Sequence, residues 1–262
     1  MQRFKHIKTL VLITFGSMAV VLAWAVQSHS KNQPAPLKKA SGQGKERPLI
    51  YDPALLARFQ HLTAELNFNK KHCTYAGSID MTDPADSTNT ATGIGFLFSR
   101  SGDDYYYKLG NTETIHRDGL NIFIRHDQRK VVVSKQDISV HAPVGSTMLI
   151  EKNLRDEHYT LTEKKSGASK TLTILNERHL ACKELTMTYD TVSGKLQKIY
   201  ARLTDPGNFL NKNRDRVTQV WISRMEETDV LAAYPSVNDV VRRAGEQWAL
   251  APAYANYELI IL

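Results

Sequence analysis

Between Gly93 and Ser134 five short runs rich in apolar and β-forming residues follow one another: GIGFLFSR, DDYYYKLG, NTETIHR, LNIFIRH and RKVVVS. Every junction carries turn chemistry, namely Ser-Gly-Asp-Asp at 101–104, Gly110-Asn111, Asp118-Gly119 and His126-Asp127. A parallel crossover needs a dozen or more residues, so connections this short permit only antiparallel neighbours. The stretch is therefore expected to fold as an antiparallel meander, and the remaining elements must be arranged around it.

Side chains alternate across a strand, which splits each run into two faces. Ile94, Phe96 and Phe98 share one face of the first run, with Gly93, Gly95, Leu97 and Ser99 opposite. Tyr105, Tyr107 and Leu109 lie together in the second, with Tyr106 and Lys108 opposite. Ile122 and Ile124 oppose Phe123 and Arg125 in the fourth. Combined across strands, this reads as one strongly apolar face and one mixed face. Such a face has to be covered by helices, by a second sheet or by a bound apolar ligand. Ile94, Phe96, Phe98, Tyr105, Tyr107, Ile122 and Ile124 are the candidate lining of a ligand-binding surface, with plain core residues as the alternative.

Ahead of this body stand Arg3, Lys5 and Lys8, followed by the charge-free run LVLITFGSMAVVLAWAV at 10–26. Seventeen helical residues span about 26 Å, the short end of what crosses a bilayer. The basic flank would keep the N-terminus in the cytoplasm and place the rest of the chain outside. A cleaved signal peptide is the alternative, because Ala23-Trp24-Ala25 resembles a small-x-small cleavage site. Both readings export the body. Residues 27–48 are polar, lack apolar periodicity and read as a flexible basic linker. Lys38 and Lys39 there are ordinary solvated charges or, alternatively, an attraction for anionic head groups.

The chain has 34 Lys/Arg and 27 Asp/Glu. Residues 1–47 hold eight of the basic residues and one acid, which leaves 26 of each sign in the body. A neutral body argues against a nucleic-acid-binding module, which carries its basic excess on the folded domain.

Asp52-Pro53 reads as a helix start, an N-cap carboxylate before Pro at the first helical position. Leu55, Leu56, Phe59, Leu62 and Leu66 come next at helical spacing. TYAGSIDMT is the first strand, and 81–92 a polar loop. After the meander come a short strand, DISVH, and a helix capped by Ser146. Two hairpins succeed it, HYTLTEKK with TLTILNE and LACKELTMTYD with KLQKIYARLT. In the second, Leu185, Met187 and Tyr189 alternate with Glu184, Thr186 and Thr188. A long loop at 205–215, a strand at 216–226, a short helix from Pro235 to about Arg243 and the segments EQWAL and ANYELIIL complete the chain. One exported domain over 49–262 is expected behind the segments 1–26 and 27–48.

Little catalytic chemistry is written in these residues. Cys73 and Cys182 are expected to form a disulfide in an exported body, worth about 4–5 kcal/mol in the chain-entropy model; two buried free thiols are the alternative. His116 and His126 sit in or beside neighbouring strands, but no H-x-x-x-H or C-x-x-C spacing supports a metal site. Asp80, Asp83 and Asp86 lack the Gly and distal Glu of an EF-hand. No dinucleotide fingerprint or nucleophile elbow is present. The expectation is a non-enzyme with no metal and no cofactor.

The segments DGLNIFIRHDQRKVVV, YTLTEKK with TLTILNE, and LTMTYDTVSGKLQKIYARLTD, in this order after a helix and a strand ending in Gly77-Ser-Ile-Asp, resemble the periplasmic lipoprotein-carrier superfamily, LolA/LolB-like, over roughly 54–226. The resemblance implies an α+β fold, an antiparallel half-barrel (an incomplete β-barrel) whose concave apolar face is covered by helices. It also implies a cavity for acyl chains of lipoproteins or other lipids. Only turns match, Asp118-Gly119 and Asp190 to Gly194, so no family ligand contact is carried over. The expected function is an exported, membrane-tethered module holding a lipid or lipoprotein acyl chain, on the periplasmic side of the bacterial inner membrane or soluble in the periplasm after cleavage. The alternative is a scaffold subunit of an envelope-spanning assembly that uses the fold to contact an envelope protein, the tail 235–262 then plugging the cavity.

Overall fold

The computed structural model describes residues 49–68, 70–135, 147–205, 207–245 and 247–262. The N-terminal span, the basic linker, Ser146 and the strand expected at 137–141 lie outside them. Among the described residues strands hold 51% and helices 18%, so the fold is mostly β rather than α+β. Hydrogen-bond pairing runs in the order β14 (Glu258–Ile261), β6 (Lys130–Lys135), β5 (Leu120–Arg125), β4 (Thr112–Arg117), β3 (Asp104–Leu109), β2 (Ala91–Ser101), β1 (His72–Thr82), β11 (Arg216–Glu226), β10 (Leu196–Leu203), β9 (Cys182–Asp190), β8 (Ser169–Leu175) and β7 (Thr160–Ser166). Among the described residues the sheet is not closed, and β14 and β7 end its pairing order. This overturns the expected half-barrel covered by helices. The periodicity identified the hairpins, but nothing in it specified how many would join one sheet or whether that sheet would close.

The chain divides into two compact units. In the first, Asp52 caps helix α1 (Pro53–Glu65), its carboxylate accepting from Ala54 N at 2.7 Å. Phe59, Leu62 and Leu66 are buried, as their spacing anticipates. Helix α2 (Thr147–Asp156) contacts α1, and α1 also contacts β7. Strands β7 (Thr160–Ser166) and β8 (Ser169–Leu175) form one hairpin, with Gly167 at φ +59° supplying the tight turn. Strands β9 (Cys182–Asp190) and β10 (Leu196–Leu203) form the next. Cross-strand rows Leu172–Met187–Ile199 and Ile174–Leu185–Ala201 make the core of this unit, all buried. The alternation expected for 184–189 is therefore observed. Asp83–Thr88 and Arg216–Thr218, the start of β11 (Arg216–Glu226), also belong to this unit.

The second unit contains the meander. Its strands are β1 (His72–Thr82), β2 (Ala91–Ser101), β3 (Asp104–Leu109), β4 (Thr112–Arg117), β5 (Leu120–Arg125) and β6 (Lys130–Lys135), each antiparallel to the next. The remainder of β11 belongs here too. Gly77 on β1 is obligatory at close range, because a Cβ there would lie 1.8 Å from the Trp221 carbonyl oxygen. Beyond β11 a single-turn helix α3 (Val237–Val240) leads into the hairpin β12 (Val241–Ala244) and β13 (Gln247–Leu250). The last strand, β14 (Glu258–Ile261), pairs with β6 in parallel. Parallel pairing is possible because more than a hundred residues separate the two strands.

Candidate functional site

The meander's register decides which side chains can act together. Phe98 pairs with Tyr107, Tyr107 with Thr114, and Thr114 with Phe123. Tyr106 pairs with Ile115, Ile115 with Ile122, and Ile122 with Val133. Phe96, Phe98, Tyr105 and Tyr107, together with Ile94 in the same alternation, thus lie on the face opposite Ile122 and Ile124. No one surface holds all seven expected lining residues. Alternation fixes the faces only within a strand, whereas the relative phase of neighbouring strands is set by the turns between them.

Both faces are occupied by the unit's own side chains. Ile122 and Ile124 are 0% exposed in a cluster with Leu231, Val237, Val240 and Val241 from the C-terminal segment. On the other face Phe98 lies 5.5 Å from Phe68 and 6.0 Å from Tyr105, centroid to centroid, and Phe96, Phe98 and Tyr107 are buried. Ile94 and Tyr105 are half-buried. Burial raises the phenol pKa of Tyr105 above its ordinary value.

Under the C-terminal segment sits one polar hub. Glu113 on β4 accepts from Lys108 Nζ at 2.9 Å and from His126 Nε2 at 3.0 Å. His126 Nδ1 lies 2.8 Å from the Tyr257 hydroxyl. The carboxylate requires hydrogen on Nε2, so in the neutral ring Nδ1 accepts from Tyr257. Burial opposes ionisation of Glu113, but the bonds from Lys108 and Tyr106, the Lys108 charge and the His126 bond together hold its carboxyl below the usual range. Chemically this chain can keep a buried carboxylate charged and fasten the segment before β14 to the meander.

Other constellations resolve into structural roles. Ser101 Oγ donates to Asp229 Oδ2 at 2.6 Å, and His72 Nδ1 lies 3.4 Å from each. In an acyl-transfer triad the histidine stands between hydroxyl and acid and uses both nitrogens; in this chain the acid holds the hydroxyl directly. His179 Nδ1 accepts from the backbone N–H of Ala181 and Cys182, and its Nε2 faces Glu157 at 2.9 Å, which fixes the neutral Nε2–H tautomer. His116 stands opposite Asn121 at one end of β5, whereas His126 comes after the other end, so the two do not converge. Among the described residues no group of three or more His, Cys, Asp or Glu could hold a metal ion. Asp80 on β1 accepts the Gly93 N–H of β2, and Asp83 and Asp86 each accept a backbone N–H two residues on in turns.

The expected disulfide is absent: Cys73 and Cys182 are both free and buried. Strands β1 and β9 are not neighbours in the pairing order, and each sulfur faces a carbonyl near its own position, Lys70 O for Cys73 and Glu184 O for Cys182. Burial pushes both thiols up to about 11, which keeps them protonated at neutral pH.

One arrangement had no recognised signature in the sequence. Lys183 shares the parity of Leu185, Met187 and Tyr189 in β9, and its Nζ donates to Asp215 Oδ1 at 2.7 Å. Both side chains are 1% exposed. Arg202 donates to the second Asp215 oxygen at 3.1 Å, and to Glu177 and Glu184. Burial works against the Arg202 charge, but the Glu177, Asp215 and Glu184 bonds outweigh it and raise the guanidinium pKa. Lys212 reaches Glu177 at 3.2 Å, and Arg214 closes on Asp205 at 2.7 Å. The network braces the segment 207–215 against β9, β10 and the turn at 176–181. A lysine in the apolar parity of β9 was the one legible hint.

No protein-family model matches the chain, and no curated protein matches it. Among solved structures it is similar to an uncharacterized conserved protein from Thermus thermophilus, with 11% identity over 72% of this chain and 98% of that one, at a TM-score of 0.33. A likeness that slight carries no inference about either fold or function.

Proposed function

We propose that this chain is an exported interaction module, a scaffold subunit of an envelope assembly held at the membrane by its N-terminal span. The observation that supports this reading over an apolar-ligand carrier is the zero exposure of Ile122 and Ile124 beneath the chain's own C-terminal segment. A carrier needs that surface for cargo; in this chain intramolecular packing uses it. Among the described residues no helix is long and apolar enough to cross a membrane, so the tether is assigned to the charge-free run at 10–26.

The two sheet edges differ in a way that selects a contact surface. Strand β7 carries Glu163, Lys164 and Lys165, the charged pattern that discourages strand addition. Strand β14 reads Glu-Leu-Ile-Ile, and its outer half is apolar and exposed at Ile261. An edge whose outer half is apolar suits a partner's extended segment, which gains main-chain hydrogen bonds and apolar pockets together. The test is in-cell crosslinking of the full chain, followed by purification and lipid extraction. One stoichiometric protein partner, lost in an Ile261→Lys variant, is the expected outcome. Copurified lipid with no protein partner refutes the scaffold reading and restores the carrier.

A further inference from the structure

Four large apolar residues of the first unit project into solvent from segments that are tied together at one end of it. They are Ile50 at 85% exposure, Leu180 at 72%, Phe209 at 47% and Leu210 at 74%. The ties are specific. Arg155 donates to Leu49 O at 2.7 Å, and the Tyr51 hydroxyl donates to Tyr159 O at 2.7 Å. The Tyr159 hydroxyl donates to Cys182 O at 2.5 Å, which joins the start of the described chain to the turn at 176–181. Thr204 Oγ1 donates to His179 O at 2.7 Å and Thr204 N to Ala181 O at 2.8 Å, while Lys212 binds Glu177. The loop bearing Phe209 and Leu210 is thereby fixed beside the turn bearing Leu180.

Exposed basic groups outnumber exposed acids at this end: Arg155, Arg178, Lys212, Arg214 and Arg216 are exposed against Asp52 and Asp156, while Asp205 and Asp215 are buried and Glu157 and Glu177 are half-buried. In the sequence, Lys45 and Arg47 come shortly before Leu49. The loop is also internally braced: Asp205 accepts from Arg214 Nε and Gly207 N, and the Asn211 side chain caps the turn Lys212–Arg214. A pre-formed loop displays its apolar tip without having to order it on binding. Isolated apolar side chains ringed by basic ones match the boundary of an anionic bilayer, where the tip enters the acyl region and the cations meet phosphates.

We infer that this end of the first unit is a membrane-docking patch, seated on an anionic lipid surface by Phe209, Leu210, Leu180 and Ile50. Its position fits the order of the chain. Residues 27–48 number 22, so a body tethered at 26 stays within about 75 Å of the bilayer. At that confinement the effective concentration of lipid is high, and a few inserted side chains suffice to hold a fixed orientation. The inference goes beyond the scaffold reading and rests on its membrane tether, not on its protein partner.

The test places an environment-sensitive fluorophore at Leu210→Cys in the full chain, with Val192→Cys as the reference. Val192 is 92% exposed in the turn of the β9–β10 hairpin, about 26 Å along the strands from the docking end. Both are reconstituted in vesicles of equal parts phosphatidylcholine and phosphatidylglycerol and in phosphatidylcholine alone, and headgroup-level spin-labelled lipid serves as quencher. The wild-type chain, whose two thiols are buried, gives the labelling blank. Quenching at 210 in the anionic vesicles is expected to exceed that at 192 by roughly twofold or more. It should fall in pure phosphatidylcholine and in Arg178→Glu/Arg216→Glu, with no change in melting temperature. Equal quenching at 210 and 192 overturns the inference. So does shielding of 210 that persists in detergent and requires a crosslinked protein, which would make the patch a protein contact.

Discussion

Asp215→Ala should be among the most destabilising single changes in the first unit, and the geometry gives its size. The substitution removes the carboxylate 2.7 Å from Lys183 Nζ, where both side chains are 1% exposed. The ammonium is then left in a nearly anhydrous site without its charge partner, a change that costs about 3–5 kcal/mol. For a chain of this size that corresponds to a fall in melting temperature of roughly 6–20 °C. Lys183→Met should cost far less, about 1–2 kcal/mol, because Asp215 keeps Arg202 at 3.1 Å and the methionine fills the stem's volume. The decisive variant is the double one. Arg202 retains Glu177 and Glu184, so adding Lys183→Met to Asp215→Ala removes the stranded charge and should recover about 2–4 kcal/mol. Urea melts followed by far-UV circular dichroism measure all three. The reasoning fails if Asp215→Ala melts within about 1 kcal/mol of wild type, or if the double variant is less stable than Asp215→Ala alone.

Three further outcomes are expected. The Glu113 carboxyl is held below its ordinary value of 4.5 in the folded chain, so its contribution to stability is complete above that pH and is lost as the pH falls through the folded value. Glu113→Gln should therefore be less stable at pH 7 and show a flatter stability profile between about pH 5 and 3; an unchanged profile would remove Glu113 from the account. Gly77→Ala brings a Cβ to 1.8 Å from the Trp221 carbonyl oxygen, and should destabilise by at least about 1–3 kcal/mol in a thermal melt. With Cys73 and Cys182 free and buried, a thiol reagent should find two groups on unfolding and react slowly before it; a melting temperature that drops on adding reductant would reinstate the disulfide.

Much of the local structure is legible from residue order. Asp52-Pro53 starts a helix because a carboxylate can accept the orphan N–H groups and proline lacks the donor it would waste. The meander follows from Gly110-Asn111 and Asp118-Gly119, where the chain reverses through positive φ at Gly110, Asp118 and Gly119. The core row of β9 follows from the alternation of Leu185, Met187 and Tyr189. All of these depend on interactions within a few residues.

What lay beyond reach depends on pairing between distant segments. The side of the sheet taken by Ile122 relative to Phe98 depends on the phase carried through three intervening turns, and a shift of one residue would reverse it. Strand β14 joins β6 from the far end of the chain, and an apolar tetrapeptide does not state its partner. The charges of Lys183 and Asp215 have a cost only once water is excluded around them, so their pairing acquires meaning in the folded chain alone. Strands, turns and caps can be read off residue order, because neighbours along the backbone settle them. Which faces are filled, which thiols stay apart and which apolar residues remain outside emerge only on folding, because burial is a property of the assembled surface.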